Sequence, residues 1–298
     1  MITTDTAFLD LVNRRLDYVK AYNSDSHYDD SVVFARRWVN QWGDFPCSEV
    51  TTEAIETFLL NRKEVSVATA NKELRLLKAM FNFGLKKKLV RFNPTTGIES
   101  FPEEKRVRYV PPLEDINKVL SAADRDTNDY LWLIGDTLAR MNEINRLSWP
   151  DIDFANTTIT LYTRKKKGGH LTPRQVPMTA DVFKILIRRY HHRDESKPWV
   201  FWHRYKSRKT GTWIEGPFNK RNKLMPKLCT KAKVKRFGFH ALRHAGASLM
   251  AENNVPIGAI QTILGHENRS TTEIYVHTAE KTAREAMATY EKARQSLT

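Results

Sequence analysis

The chain has two cysteines, Cys47 and Cys229, in 298 residues. Two thiols are too few for a disulfide framework and show no metal-ligand spacing, so both are expected to be reduced. Acidic residues are also scarce: 34 Asp and Glu stand against 49 Lys and Arg, a formal net charge of +15. A chain this basic usually meets a polyanion, most often nucleic acid, although a ribosome-like or merely soluble basic surface has the same balance. Long apolar runs are missing. The longest, Tyr130 to Gly135, falls far short of the ~20 residues that span a bilayer. The start, Met1-Ile2-Thr3-Thr4-Asp5, lacks the basic and apolar segments of a secretory signal, so a cytoplasmic location is expected. Neither an internal repeat nor a low-complexity tract is present. Hydrophobic residues make up 41% of the chain, enough for packed cores, and the length suits about two domains.

The first hundred residues read as helices only. Tyr28, Val32, Ala35, Val39 and Trp42 recur at helical spacing, as do Val67, Ala70, Leu74, Leu77, Phe81 and Leu85. Shorter helices are expected near 6–22 and 52–62. The last helix runs into Lys86, Lys87 and Lys88 and stops before Asn93-Pro94; these lysines suit either a solvated helix end or a phosphate contact. A linker over 98–111, with Pro102 and Pro111-Pro112, puts a domain boundary near 105 and domains at 1–104 and 105–298. Beyond it a helix opens at Pro112 and another is expected over 128–147. Thr157 to Thr163 alternates and is β-branched, Arg174 to Met178 reads as its partner, and Gly168-Gly169 supplies a turn. With Ile152-Asp153-Phe154 these predict a small antiparallel sheet. Helices are expected from 180 to the end. The stretch 203–236 is the most basic, with Lys206, Arg208, Lys209, Lys220, Arg221 and Lys223 among interleaved aromatics. It reads as a phosphate-tracking surface, against the plainer reading of a solvated loop.

Several patterns carry chemistry only in combination. Arg140 follows Asp136 by four and precedes Glu143 by three, so one helical face would hold all three. That is either a surface salt bridge or a guanidinium braced by carboxylates and aimed at a phosphate, which its planar fork suits. His240 and Arg243 lie three apart on a helix and should point the same way. Such a pair alone is usually structural. Gly265 reads as a helix C′ residue, so His266 should emerge at a helix end. Tyr275 between Ile274 and Val276 would, alone, be read as core.

Taken in order, Arg140-x-x-Glu143, His240-Ala241-Leu242-Arg243, Leu264-Gly265-His266 and Thr272-x-x-Tyr275-x-His277 resemble the tyrosine recombinase, or phage integrase, family. The resemblance covers about residues 5–290 and is strongest over 236–278. It implies a mainly α fold with a small antiparallel β-sheet: an N-terminal helical, SAM-like core-DNA-binding domain and an α+β catalytic domain with a C-terminal tail helix. It implies a site-specific DNA recombinase that cleaves and rejoins strands through a 3′-phosphotyrosine on Tyr275, with no metal, ATP or other cofactor. The site carried over comprises Tyr275, Arg140, Arg243, His240, His266 and a lysine of the hairpin, Lys166 or else Lys165. Glu143 is read as orienting the arginines. DNA contacts would come from Lys86, Lys87, Lys88, Arg164, Lys206, Arg208, Lys209, Lys220, Arg221 and Lys223.

The implied partners are double-stranded DNA, further copies of the chain forming a tetramer on synapsed sites, and accessory DNA-bending proteins, with no membrane. The setting would be a bacterial nucleoid or a mobile element. The tail over 279–296 would dock on a neighbouring protomer or pack on its own domain. Leu138-Ala139 stands where the family often has Gly-Leu, a departure expected to affect only packing. Two other readings are a type IB topoisomerase and a DNA-binding regulator that has lost its chemistry; the latter predicts gaps in the residue set, and none is found.

Overall fold

The computed structural model describes residues 5–104, 109–163, 171–207 and 210–266, with 287, 288, 290, 291, 294 and 295. Three of the four N-terminal helices begin where a hydroxyl side chain can satisfy one of their first free N–H groups. Helix α1 (Phe8–Tyr22) is followed by α2 (Asp25–Trp42), α3 (Thr52–Val65) and α4 (Val67–Lys86). Ser24, Thr51 and Ser66 each accept a bond from the backbone N–H three residues on, caps worth about 1 kcal/mol apiece. The apolar stripes of the four helices meet in one core around Phe8, Trp38, Trp42, Ile55, Leu74 and Phe81.

One carboxylate ties three of these helices together. Glu73 of α4 is fully buried and accepts from Arg37 Nη1 of α2 at 2.7 Å, Arg62 Nε of α3 at 2.8 Å and Trp38 Nε1 at 3.2 Å. Three donors offset the desolvation of the charge; removing any would leave part of that cost standing. Lys86, Lys87 and Lys88 are exposed at the end of α4.

Helices α1–α4 form one compact unit, and the elements that follow form another. The second unit runs α5 (Leu113–Ala122), α6 (Arg125–Asp136), α7 (Met141–Asn145), β1 (Ile152–Asp153), β2 (Thr158–Thr163), β3 (Thr172–Pro177), α8 (Ala180–His191), β4 (Trp202–Lys206), β5 (Trp213–Pro217), α9 (Leu224–Lys231), α10 (Phe239–Glu252) and α11 (Ile257–Leu264). Strands β1, β2 and β3 make an antiparallel sheet in that order, with Ile159 opposite Val176 and Leu161 opposite Arg174. Ile159, Leu161 and Val176 turn inward to a core shared with Tyr130, Ile134, Ile144, Leu186, Phe201 and Leu242. Among the described residues no helix is long and apolar enough to cross a membrane. The chain is thus mainly α-helical with small antiparallel sheets.

Two expectations are corrected here. The helix expected over 128–147 is two helices, because Leu138 lies in the left-handed region at φ 51° and breaks the hydrogen-bond ladder between Asp136 and Met141. A left-handed residue with a Cβ costs about 1–2 kcal/mol. Here the Leu138 side chain offsets that cost by burial with Ala247, Ile260 and Leu264. Its Cδ2 fills the space that a Cβ on Gly246 would need. The consequence of Leu138, expected to be one of packing only, is therefore one of backbone conformation as well. The run of helices expected from 180 onward is interrupted by the β4–β5 hairpin, with Tyr205 opposite Ile214. Most residues of both strands are exposed or half-exposed, so no apolar-in, polar-out alternation marks them.

Candidate active site

The break at Leu138 decides where Arg140 stands. Arg140 caps α7 and does not sit within a longer helix; its backbone N–H donates to Glu143 Oε2 at 2.9 Å and its Nη1 to Glu143 Oε1 at 2.9 Å. Asp136, expected on the same face, accepts instead from the Thr179 hydroxyl at 2.7 Å. Arg140 Nη1 also reaches the Thr163 hydroxyl at 3.5 Å, the last residue of β2. Arg164, Lys165 and Lys166 follow and lie outside the described residues, as do Arg208, Lys209, the Gly168-Gly169 turn and Tyr275.

Glu143 is buried and holds a second arginine, which the sequence did not single out. Arg174 of β3 clasps the carboxylate with both arms, Nη1 to Oε1 at 3.0 Å and Nη2 to Oε2 at 2.8 Å. Burial pushes the Glu143 carboxyl up, but the Arg174 bonds and charge, followed by those of Arg140, outweigh it and leave the group at about 2. It is therefore ionised across the physiological range.

The same region holds the end of α11. A helix leaves its last four carbonyls without helical partners. Here His266 N–H donates to Gln261 O at 3.2 Å and Gly265 N–H to Thr262 O at 3.1 Å. Arg174 Nε donates to Ile263 O at 2.9 Å, and Arg243 Nη2 to Leu264 O at 2.5 Å. All four are satisfied, two of them by guanidiniums, whose charge also suits the negative end of the helix dipole. Gly265 turns the chain at φ 61°, as its expected C′ role requires, and His266 follows directly.

Arg243 is 1% exposed, and its Nη1 donates to Leu138 O. It thereby links α10 to the break before Arg140 and to the end of α11. His240, one turn earlier on α10, is exposed and packs its ring edge-on against His244 at 4.9 Å. The pair expected to point the same way thus occupies a buried and an exposed environment. Arg140, Glu143, Arg243 and His266 are joined through Leu138, Leu264 and Arg174. A cleft of about 560 Å³ elsewhere in this unit, lined by Trp149, Trp199, Trp202, Arg125 and Arg188 among others, shares no residue with this cluster.

The basic residues do not form one class. Lys206, Lys220 and Lys223 are exposed. Arg221 is sandwiched between the rings of Tyr130 at 4.2 Å and Phe218 at 4.0 Å, and burial lowers its pKa. The sequence reading missed Arg174 because no local pattern on β3 shows that it reaches a carboxylate 31 positions away.

Residues 112–282 match the sequence model of the phage integrase family. The chain is 30% identical over 244 residues to the tyrosine recombinase XerA of Pyrococcus horikoshii, a match covering 76% of this chain and 75% of that one. Its fold resembles the Tn1549 transposon integrase in complex with a circular intermediate DNA, with a TM-score of 0.70 at 19% identity, over 95% of this chain and 100% of that one. It also resembles a lambda integrase tetramer bound to a Holliday junction, with a TM-score of 0.70 at 15% identity, over 92% of this chain and 78% of that one.

Proposed function

Because the chain belongs to the phage integrase family, we propose that it is a site-specific recombinase whose Tyr275 hydroxyl attacks a DNA phosphodiester. The observation that carries this reading is the joining of Arg140, Arg243 and His266 about one helix break and one helix end. Two guanidiniums placed there would stabilise the charge that grows on the non-bridging oxygens. Such a donor is typically worth ~3–4 kcal/mol of barrier. Tyr275, with an ordinary phenol pKa of ~10, must lose its proton as it attacks; His240 and His266 are the groups to hydrogen-bond the phosphate and handle that proton. Lys166, or Lys165, would protonate the departing 5′ oxygen. The covalent 3′-phosphotyrosine conserves the bond energy, so a second strand's 5′ hydroxyl can reverse the step.

The substrate is double-stranded DNA, held by the lysines at the end of α4 and by Arg164, Lys206, Arg208, Lys209, Lys220 and Lys223. Arg221 serves that surface indirectly, through its place between two rings. Four copies would act on two synapsed sites, with DNA-bending proteins assisting. The domain that carries the chemistry is 105–298, and 1–104 is the core-binding domain.

The test starts by selecting bound duplexes from a random pool and building a nicked suicide duplex on the recovered sequence. The wild-type protein should form a denaturation-resistant adduct; Arg140→Ala and Arg243→Ala should bind the duplex and form almost none. Relaxation of supercoiled plasmid without site preference would mark the protein as a topoisomerase instead, and binding without any adduct would mark it as a regulator.

A further inference from the structure

The proposed chemistry gives Arg174 nothing to do, yet this side chain touches the cluster at Glu143, at Ile263 O and at the Gly265 turn. Its fork occupies one side of the Glu143 carboxylate, while Arg140 occupies the other with its backbone N–H and Nη1. Each carboxylate oxygen thus accepts from both arginines. The Arg140 Nε and Nη2 groups take no part in these bonds. Without Arg174, Glu143 would have open lone pairs and could draw Arg140 into a bidentate clasp, turning its fork away from a phosphate.

Arg174 also fixes the other half of the cluster. Its Nε bonds Ile263 O, beside the Leu264 carbonyl that Arg243 holds. Its side chain lies across the left-handed turn at Gly265, where an added Cβ would stand 2.7 Å from Arg174 Cδ and 3.1 Å from its Nε. One residue of β3 therefore touches both the carboxylate that holds Arg140 and the turn from which His266 leaves α11.

We propose that Arg174 is a positioning residue for the DNA-cleavage step, holding Arg140 through Glu143 and His266 through the end of α11. This rests on the recombinase reading above. It makes Arg174 act on the rate of the chemical step and leaves the affinity for DNA to other residues. It also requires the planar fork: a lysine could reach one oxygen of Glu143 but could not hold both and Ile263 O together.

The experiment measures single-turnover adduct formation on the nicked suicide duplex, as a function of duplex concentration, for full-length Arg174→Ala, Arg174→Lys, Glu143→Gln and the Arg174→Ala/Glu143→Gln double variant. Misplaced catalytic groups typically cost about 100-fold in rate. Arg174→Ala should lose about that much from the maximal rate, with a half-saturating duplex concentration within about 3-fold of wild type. Arg174→Lys should recover less than about a tenth of the loss. The double variant should be about as slow as the slower single one, because the two residues act through one bond set. Should Arg174→Ala fail to fold, Arg174→Lys and Glu143→Gln carry the same comparison. Full activity in Arg174→Lys, a rate near wild type in Arg174→Ala, or independent losses in the double variant would each overturn the proposal. Wild type with no adduct, or Arg140→Ala with a normal one, would instead remove the recombinase reading and this proposal with it.

Discussion

Replacing Glu143 by Gln removes the charge that two arginines share without changing the side chain's volume. The Glu143 carboxyl lies at about 2 against an ordinary 4.5. At ~1.4 kcal/mol per pH unit, that depression corresponds to about 3 kcal/mol of folding free energy at neutral pH. The folded-state value is the lower one, so this contribution is complete above pH 4.5 and fades as pH falls toward 2. Gln offers one acceptor oxygen in place of two and turns an N–H₂ toward a guanidinium. Glu143→Gln should therefore lower the unfolding free energy by about 3 kcal/mol at pH 7, in line with the ~3–5 kcal/mol for breaking a buried ion pair. The difference between wild type and variant should shrink steadily below pH 4.5. Urea unfolding followed by tryptophan fluorescence at pH 7, 4 and 2.5 measures it. A difference below about 1 kcal/mol at pH 7, or one of equal size at pH 2.5, would refute the assignment of this charge as the centre of the cluster.

Three further outcomes can be checked. Glu73→Ala should destabilise the N-terminal helical unit by about 3–5 kcal/mol, read as a lower urea midpoint, because Arg37 and Arg62 lose their buried partner. Leu138→Gly should lower the melting temperature even though it relieves the left-handed strain: the relief is about 1–2 kcal/mol, while losing a buried leucine side chain costs about 2–5 kcal/mol. Replacing Lys86, Lys87 and Lys88 together by Ala should flatten the dependence of DNA affinity on salt. Every phosphate that the variant no longer neutralises takes about 0.9 off the slope of log K against log salt, and an unchanged slope would leave these lysines merely solvated.

Helices α1 to α4 were legible because each buries a single stripe and most begin at a Ser or Thr cap. Gly265 was legible for a similar reason: a left-handed terminus selects glycine locally. Strands β2 and β3 showed themselves because Ile159, Leu161 and Val176 turn inward. The break before Arg140 was not legible. Nothing near Leu138 demands a left-handed turn; what permits it is Gly246 on α10, far away in sequence, which leaves room for the leucine side chain. Arg174 was hidden likewise, because its partners Glu143, Ile263 and Gly265 come from two other elements. The β4–β5 hairpin escaped because its mostly exposed strands have no buried face to declare a period of two. Local signals thus placed most elements but neither the break before Arg140 nor the β4–β5 hairpin, and long-range contacts decided how the arginines are held.

The most direct measurement is the chemical location of the bond to DNA. Adduct trapped on the suicide duplex is digested with trypsin and nuclease, and the nucleotide-bearing peptide is mapped by mass spectrometry. The modification should fall on Tyr275 through a 3′ phosphate, and Tyr275→Phe should yield duplex-bound protein with no such peptide. A modified residue other than Tyr275, or an adduct that persists in Tyr275→Phe, would contradict the account.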